Sequence, residues 1–447
     1  MIRKLVLILV PLAALAAWLA VRASAHRPWT TDSPAALAAF EQGLEAEMKL
    51  YAADAAKSYF EALDLDPSFV APRIFLLQVL RPHDERYPQI VAALRAADPD
   101  PLTERERFLR AFELARVDQD EAEFMRLLDG FVAQHPDDPF GLRMLCQRES
   151  VVGDVLGAEH CYQRLVEVEP NWVQAQNLLG YLAMRQGQFD EAEKRFQIYQ
   201  FIAPDQANPH DSMAELMTVR GRYEEAHREL DKALELRPDF YSSYDHLLFL
   251  ALAENDPQLL AATRDRVVEA FSGNERPTTF ASCRYALFAA TLEVGSDFAK
   301  IQECPKDGVL SIALFHTLAL RAEGPEAALT LEEHLRERLK ATPVRAGVPV
   351  DKLTSSDGGL LLHLEGMRHA VSGDLETARD ALQAADETFE LRELDEGLLL
   401  LRNRLVLAEV LESLGDAAAG RRERQRITDI NPRFLETEPY LGLPALR

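Results

Sequence analysis

Three residues close together in the sequence, His363, Glu365 and His369, have side chains that bind metal ions or transfer protons. On an α-helix Glu365 and His369 share a face because they are four residues apart, whereas His363 points away from both. The remaining histidines are dispersed along the chain. We therefore predict no metal site at these three residues, and no cofactor.

The sequence also lacks the short motifs by which many catalytic sites are recognised. It contains no H-E-x-x-H, no G-x-S-x-G, no Walker phosphate-binding loop and no G-x-G-x-x-G after a strand. Acidic clusters such as those at residues 189–193 and 331–337 are typical of solvated helix faces. We therefore predict that the protein is not an enzyme.

The four cysteines, Cys146, Cys161, Cys283 and Cys304, form no C-x-x-C motif, which argues against zinc, haem attachment and thioredoxin-like chemistry. Cys146 and Cys161 lie nearly equidistant from the Gly153-Asp154 turn, so antiparallel helices would bring them level. A disulfide is compatible with that placement, although two buried free thiols are the favoured interpretation. Cys283 and Cys304 flank their turn less symmetrically, so a disulfide is less favoured there.

Composition and charge indicate a large folded protein. The 447 residues are 47% hydrophobic and 27% charged, which is typical of a globular chain. The net charge is −24, so the surface repels phosphate backbones and we predict no nucleic-acid partner.

A phrase recurs along the chain at a fixed interval. "GQFDEAEKRF" at residues 187–196 is followed 34 residues later by "GRYEEAHREL" at 221–230, and "GDVLGAEHCY" precedes it at 153–162. A more distant copy, "GDLETARDAL", lies at 373–382. Prolines repeat with the same spacing at Pro136, Pro170, Pro204 and Pro238. Self-similarity at this period is typical of stacked helical repeats.

This pattern resembles the tetratricopeptide repeat. The resemblance implies an all-α fold, a right-handed superhelical α-solenoid of helix-turn-helix repeats. The uncharged run at residues 5–21 predicts an N-terminal hydrophobic helix before it. In each repeat, small residues allow close helix approach, a glycine ends the first helix and a proline ends the second. The residues matching these structural positions are Gly153, Ala158, Pro170, Gly180, Gly187, Ala192, Pro204, Gly221, Ala226 and Pro238.

The repeat pattern varies in clarity along the chain, and we predict six segments from it. These are a signal anchor or signal peptide at 1–25, a repeat array at 34–273 that is clearest at 139–240, an irregular helical segment at 274–340, a loop or linker at 341–359, repeat-like helices at 360–434 and an extended tail at 435–447.

The N-terminus predicts export. Arg3 and Lys4 precede an uncharged run from Leu5 to Val21, and Ala23-Ser24-Ala25 matches a signal-peptidase site. We expect a single-pass anchor in a bacterial inner membrane, with the bulk of the chain periplasmic. The alternative is cleavage, which leaves the protein soluble in the periplasm.

The resemblance also implies a partner-binding groove lined by the exposed side of each first helix. We expect this groove to bind another protein or an extended peptide. The residues at these positions are Phe140, Arg143, Gln147, Gln174, Asn177, Tyr181, Met184, Arg185, Asn208, Asp211, Glu215, Asp245 and Phe249.

We therefore interpret the sequence as that of a non-enzymatic scaffold or adaptor that mediates protein–protein interaction on the periplasmic side of a bacterial membrane. The alternative is a sensory or regulatory partner of a separately encoded enzyme, with a small ligand bound between the array and residues 274–340. The sequence does not indicate an oligomeric state.

Overall fold

The computed structural model describes residues 29–152, 155–170, 172–292, 301–304, 308–341, 356–389, 394–437 and 441–442. The predicted hydrophobic segment 1–25, Gly153, residues 342–355 of the predicted linker and most of the predicted tail lie outside these ranges.

Every regular element of the described chain is a helix, so the predicted all-α class of helix-turn-helix repeats is confirmed. The α-helices are α1 (Pro34–Met48), α2 (Ala52–Leu65), α3 (Ala71–Val79), α4 (Tyr87–Ala96), α5 (Glu104–Val117), α6 (Glu121–Gln134), α7 (Pro139–Val152), α8 (Val155–Val168), α9 (Val173–Arg185), α10 (Phe189–Ile202), α11 (Asn208–Val219), α12 (Tyr223–Leu236), α13 (Tyr241–Ala253), α14 (Pro257–Ala270), α15 (Glu275–Thr291), α16 (Val309–Glu323), α17 (Pro325–Ala341), α18 (Ser356–Val371), α19 (Leu375–Thr388), α20 (Leu394–Ser413) and α21 (Ala417–Ile430). A 3₁₀ helix, Phe434–Thr437, follows α21. Among the helices of the described residues, none is both long enough and apolar enough to cross a bilayer.

Seven of the described turns inside hairpins share one backbone arrangement. At Gly187 the amide donates to Met184 O at 2.8 Å, and the amide of Gln188 donates to Ala183 O at 2.8 Å. These paired bonds cap the last carbonyls of a helix and require a residue with positive φ. Positive φ occurs at this place at Leu50, Gln119, Gly187, Gly221, Asn255, Gly373 and Gly415.

Replacing Leu50 with glycine is expected to stabilise the chain, because Leu50 has φ 62° and its side chain is half exposed. Relief of the left-handed strain outweighs the larger unfolded-state entropy of glycine, for a net gain of about 0.5–1 kcal/mol. Urea unfolding measures the gain. The reverse change at the equivalent turn, Gly187→Leu, should lower stability because this residue has positive φ. A Cβ added there meets no atom within 4 Å, so the loss measures backbone strain alone. A loss of stability in Leu50→Gly would contradict this account.

Glycines on the first helix of a hairpin make room for a large side chain on the second. A Cβ added at Gly180 would lie 2.4 Å from Phe196 Cε1, and one at Gly43 would lie 2.3 Å from Tyr59 Cε1. In the next repeat, Ala214 and Leu230 occupy the positions of Gly180 and Phe196, and both are fully buried. The small residue and the large residue therefore match in size within each hairpin.

Replacing Gly180 with alanine is expected to cost about 1–3 kcal/mol, because overpacking against the Phe196 ring outweighs the better helix propensity of alanine. The double variant Gly180→Ala with Phe196→Leu reproduces the Ala214–Leu230 pair and should recover much of the loss. Thermal unfolding of the single and double variants measures both effects. If the double variant were less stable than Gly180→Ala, the size-matching explanation would be wrong.

The chain divides into two compact units. The first unit comprises residues 29–148 with Glu167–Glu169, and the second comprises Glu149–Val166 with residues 170–442. The division falls inside the predicted array 34–273. The described parts of the predicted segment 274–340 and of the helices at 360–434 belong to the second unit.

The core of the first unit contains a cluster of aromatic rings around Trp29, the first residue that the structure describes. The Trp29 ring centroid lies 5.0 Å from that of Phe40, 5.8 Å from that of Phe75 and 5.4 Å from that of Phe140, each in an edge-to-face arrangement. All four rings are buried. Helices α1, α3 and α7 are therefore joined by the segment that precedes α1.

In the second unit, the C-terminal helices pack on the middle repeats. Helix α20 contacts α11 and α13, and the side chain of Phe434 is fully buried. Two predictions are corrected here. Helix α18 begins at Ser356, so residues 356–359 are not linker, and residues 435–437 form part of the 3₁₀ helix and are not extended. The apolar residues next to both segments are fully buried in this unit, Leu360 and Leu361 after the first and Phe434 before the second.

Candidate functional site

Four side chains from three helices of the second unit meet in what we name the Asp211 cluster: Tyr181, Asp211, Glu215 and His246. Asp211 and Glu215 are one turn apart on α11, so they share a face. Tyr181 on α9 occupies the position equivalent to Glu215 one repeat earlier, and its hydroxyl donates to Glu215 Oε1. His246 lies on the following first helix, α13.

The carboxylates of the Asp211 cluster are fully hydrogen-bonded. Asp211 accepts from Ser243 Oγ at 2.7 Å and from Ser242 Oγ at 2.8 Å. Besides Tyr181, Glu215 accepts from the backbone amide of Leu394 at 3.2 Å. Each of the four carboxylate oxygens therefore has a protein donor, which compensates for the burial of both groups.

His246 lies between the two acids. Its Nδ1 is 3.0 Å from Asp211 Oδ1, and its Nε2 is 3.7 Å from Glu215 Oε1. Burial lowers the pKa of His246, but the charges of Asp211 and Glu215 and the Asp211 hydrogen bond outweigh it and raise that pKa to about 10. Burial, and then the Glu215 charge, raise the pKa of Tyr181 well above its ordinary value. At neutral pH the site thus contains an imidazolium and a neutral phenol.

These residue types could also bind a metal, since one ligand atom from each of Asp211, Glu215 and His246 lies within 4.8 Å of the others. The geometry fits a protonated His246 better than a bound metal ion. The two ring nitrogens contact different carboxylates, whereas a metal ion takes only one of them, and hydroxyl or amide donors already occupy the carboxylate oxygens. The cluster is therefore a buried ion-pair network that joins α9, α11, α13 and the start of α20.

The charge of His246 has a consequence for pH dependence. Because its pKa is raised from 6.5 to about 10, its stabilising contribution is complete below pH 6.5 and is lost as the pH rises toward 10. The difference in unfolding free energy between the wild type and His246→Gln should therefore be largest near pH 6 and shrink by pH 10. Urea unfolding at several pH values measures it. A constant difference across this range would contradict a charged His246.

A second polar network begins at Asp245, the residue before His246. Arg284 Nε on α15 is 3.0 Å from Asp245 Oδ1, and Arg284 Nη1 donates to Ser311 Oγ at 3.3 Å. The carboxylate of Asp395 accepts from the amide of Val309 at 3.0 Å, and burial raises its pKa. These bonds tie α13, α15, α16 and α20 together.

The structure buries most of the groove residues expected from the sequence. In the second unit Met184, Asp211, Glu215 and Phe249 are at most 6% exposed. Asn177 and Asn208 are also buried, whereas Tyr181, Arg185, Gln174 and Asp245 are partly exposed. The expectation that these side chains form an open lining is wrong for the buried ones, because α20 and neighbouring repeats cover them.

In the first unit, the three groove residues divide similarly. Phe140 is buried against Trp29, and Gln147 is exposed. Arg143 contacts Glu47 Oε1 at 3.2 Å and donates to Gln78 Oε1 at 2.9 Å. Arg143 is thus engaged by its own unit, and Gln147 remains accessible.

The C-terminal segment forms hydrogen bonds and an ion pair with the turn between α11 and α12 and the start of α12. The Asn431 amide donates to Tyr223 OH at 3.2 Å and to Thr218 O at 3.4 Å. A Cβ on Gly221 would lie 2.2 Å from Asn431 Oδ1. Glycine is therefore needed here for two reasons, the positive φ and the close approach of Asn431. Arg433 adds an ion pair to Glu224 at 3.1 Å.

The histidines and cysteines singled out in the sequence lie in separate places. His363 contacts Asn403, Glu365 pairs with Arg336, and His369 contacts Asp374, so the three do not converge. The sulfurs of Cys283 and Cys304 form a disulfide, with Cα atoms 5.5 Å apart, although the sequence makes a disulfide less favoured at this pair. Cys146 and Cys161 are also disulfide-bonded, so the favoured interpretation of buried thiols is wrong there too.

Sequence reasoning missed His246, Arg284 and Asn431. A signal existed for the cluster, since the 34-residue period places Tyr181 and Glu215 at equivalent positions on neighbouring helices. No local signal marked Asn431, whose partners lie more than 200 residues earlier in the chain.

Comparison with known proteins finds similarity in structure only. No protein-family model matches the chain, and no curated protein matches its sequence. A tetratricopeptide repeat protein from Parabacteroides merdae ATCC 43184 is similar at 16% identity and a TM-score of 0.38, over 56% of this chain and 93% of that chain. The APC/C hetero-tetramer Cut9-Hcn1 is similar at 14% identity and a TM-score of 0.48, over 92% of this chain and 76% of that chain. The hairpins described above resemble tetratricopeptide repeats in their period, their turns and their paired small and large residues.

Proposed function

We propose that this protein is a non-enzymatic scaffold whose tetratricopeptide-type repeats bind another protein or an extended peptide. The observation that carries the proposal is an exposed aromatic residue on the α9–α10 hairpin. Phe201 is 84% exposed, and its neighbour Ile202 and Leu178 on the same hairpin are also exposed. Exposed aromatic and aliphatic side chains of this kind are typical anchors for a protein partner.

The repeats provide an internal comparison for Phe201. The equivalent positions in the preceding and following repeats are Glu167 and Glu235, and Glu235 is 71% exposed. The fold therefore accepts a charged residue at this place and does not require an aromatic one. A phenylalanine here contributes little to folding, which favours a role in binding.

The test is capture of partners from membrane extracts by the full chain and by Phe201→Glu, which introduces the residue of the adjacent repeats. We expect the variant to unfold at the same temperature as the wild type and to lose the captured protein. Val268→Glu, at another exposed apolar position of the second unit, is the matched control and should retain it. Equal capture by all three proteins would refute this surface.

We further propose that the protein acts on the periplasmic side of a bacterial membrane. The hydrophobic run from Leu5 to Val21 supports export, and disulfide-bonded cysteines suit an oxidising compartment. Intact mass of the natural protein tests it: the full mass indicates a retained anchor, and a mass lacking residues 1–25 indicates a cleaved one. Reduced cysteines in the natural protein would contradict the compartment.

A further inference from the structure

Three fully buried polar side chains lie where α16, α18 and α20 pack against one another in the second unit. They are His316, His363 and Arg402, each with 0% exposure. One nitrogen of each has no hydrogen-bond partner among the residues that the structure describes: His316 Nδ1, His363 Nε2 and Arg402 Nη1. Buried polar atoms are nearly always hydrogen-bonded, so three such atoms in one region call for a physical explanation.

The three side chains are held together through their neighbours. Arg402 Nη2 donates to Thr317, which adjoins His316, and Asn403, which adjoins Arg402, contacts His363 Nδ1 at 3.0 Å. Burial lowers the pKa of both histidines, the Arg402 charge lowers both further, and His316 also lowers that of His363. These contacts place the three side chains at the junction where α16, α18 and α20 pack on one another.

Hydrogen bonds fix the tautomer of each ring. The Asn403 amide donates to Leu382 O at 2.9 Å, so its oxygen faces His363 and Nδ1 of that ring carries the hydrogen. His316 Nε2 lies 2.9 Å from a carboxylate oxygen of Glu332, which can only accept, so Nε2 carries the hydrogen there. Burial keeps both rings neutral, since it lowers both pKa values, that of His363 to about 3. His316 Nδ1 and His363 Nε2 thus present lone pairs.

The charges in this region restrict what can bind. Arg402 is buried and forms no ion pair with a carboxylate of the described ranges, as Nε donates to Leu441 O at 3.0 Å and Nη2 to Thr317. Its positive charge disfavours a metal cation between the two imidazoles. The two lone pairs disfavour an anion, because either ring would first need to take up a proton. The nearby Glu332 carboxylate is already paired with Arg368 at 2.9 Å.

We propose that His316, His363 and Arg402 bind one internal water molecule. Water has the required groups, because its two hydrogens satisfy the two imidazole lone pairs and its oxygen accepts from Arg402 Nη1. A buried water typically makes about three hydrogen bonds to polar groups that would otherwise be unsatisfied. The water links α16, α18 and α20 through these hydrogen bonds. Arg402 also donates a hydrogen bond to the carbonyl of Leu441.

The test is a crystal structure of the full chain at high resolution, grown once in chloride and once in bromide. We expect one peak within hydrogen-bond distance of all three nitrogens, with no bromine anomalous signal. An anomalous peak there would assign an anion and overturn the proposal. Direct contact among the three side chains, with no peak between them, would overturn it as well.

A solution measurement keeps the proposal testable without crystals. Nitrogen NMR of histidine-labelled protein should show, at pH 7, two neutral rings of opposite tautomer, with the hydrogen on Nε2 of His316 and on Nδ1 of His363. His316→Phe and His363→Phe assign the two signals. A protonated ring at either position would indicate an anion, and a swapped tautomer would remove the lone pair that the water needs.

Discussion

Replacing Trp29 with alanine is expected to lower the free energy of unfolding of the first unit by about 3–5 kcal/mol. The indole is 5% exposed and contacts three other rings, so its removal leaves a cavity that α1, α3 and α7 cannot all close. It also loses a stacking contact with Arg105, whose guanidinium carbon lies 5.6 Å from the ring. Urea unfolding followed by circular dichroism measures the change.

The residues after Trp29 form hydrogen bonds that also attach this segment to the first unit. The amide of Thr30 donates to Glu106 Oε1 at 2.9 Å, and Thr31 Oγ1 donates to Asp66 Oδ2 at 2.6 Å.

Trp29→Phe keeps an aromatic ring and should cost much less than Trp29→Ala. Leu65→Ala, at a position 47% exposed in the same unit, is the control and should change stability by about 0.5 kcal/mol or less. Equal stability of Trp29→Ala and the wild type would mean that the segment before α1 is not part of the core.

The hairpins could be predicted from the sequence because their causes are local. Gly187 and Gly221 mark turns, and prolines such as Pro204 and Pro238 lie two residues beyond the ends of α10 and α12. The turns at Gln119 and Asn255 lacked a glycine, yet they fit the same 34-residue series and also take positive φ. At those places the period was a better guide than residue type, because helix packing on both sides fixes the turn.

The candidate site could be predicted only in part. Asp211, Glu215 and Tyr181 were identified from repeat position, but as members of an open groove. Asp211 and Glu215 are buried instead, and Glu215 accepts from the amide of Leu394, 179 residues later in the chain; a repeat pattern contains no information about such a contact. A helix that folds back onto earlier repeats can be recognised only from the assembled structure.

Replacing Asp211 with alanine is expected to lower the free energy of unfolding of the second unit by about 3–5 kcal/mol. Asp211 is 2% exposed and is the acceptor for Ser242, Ser243 and His246. Without it, the imidazolium of His246, whose side chain is 15% exposed, and two hydroxyl groups lose their partner. Asp190→Ala, at an exposed position on α10, is the matched control.

Most of the stability lost in Asp211→Ala should come from the unpaired charge of His246. A double-mutant cycle separates this contribution from the loss of packing. A buried pair that loses one member is penalised more than a pair that loses both. The double variant Asp211→Ala with His246→Leu should therefore be more stable than Asp211→Ala alone, and the two single effects should not add. Additive losses in a double-mutant cycle measured by urea unfolding would show that Asp211 and His246 act independently. In that case Ser242 and Ser243 would account for the stabilisation by Asp211.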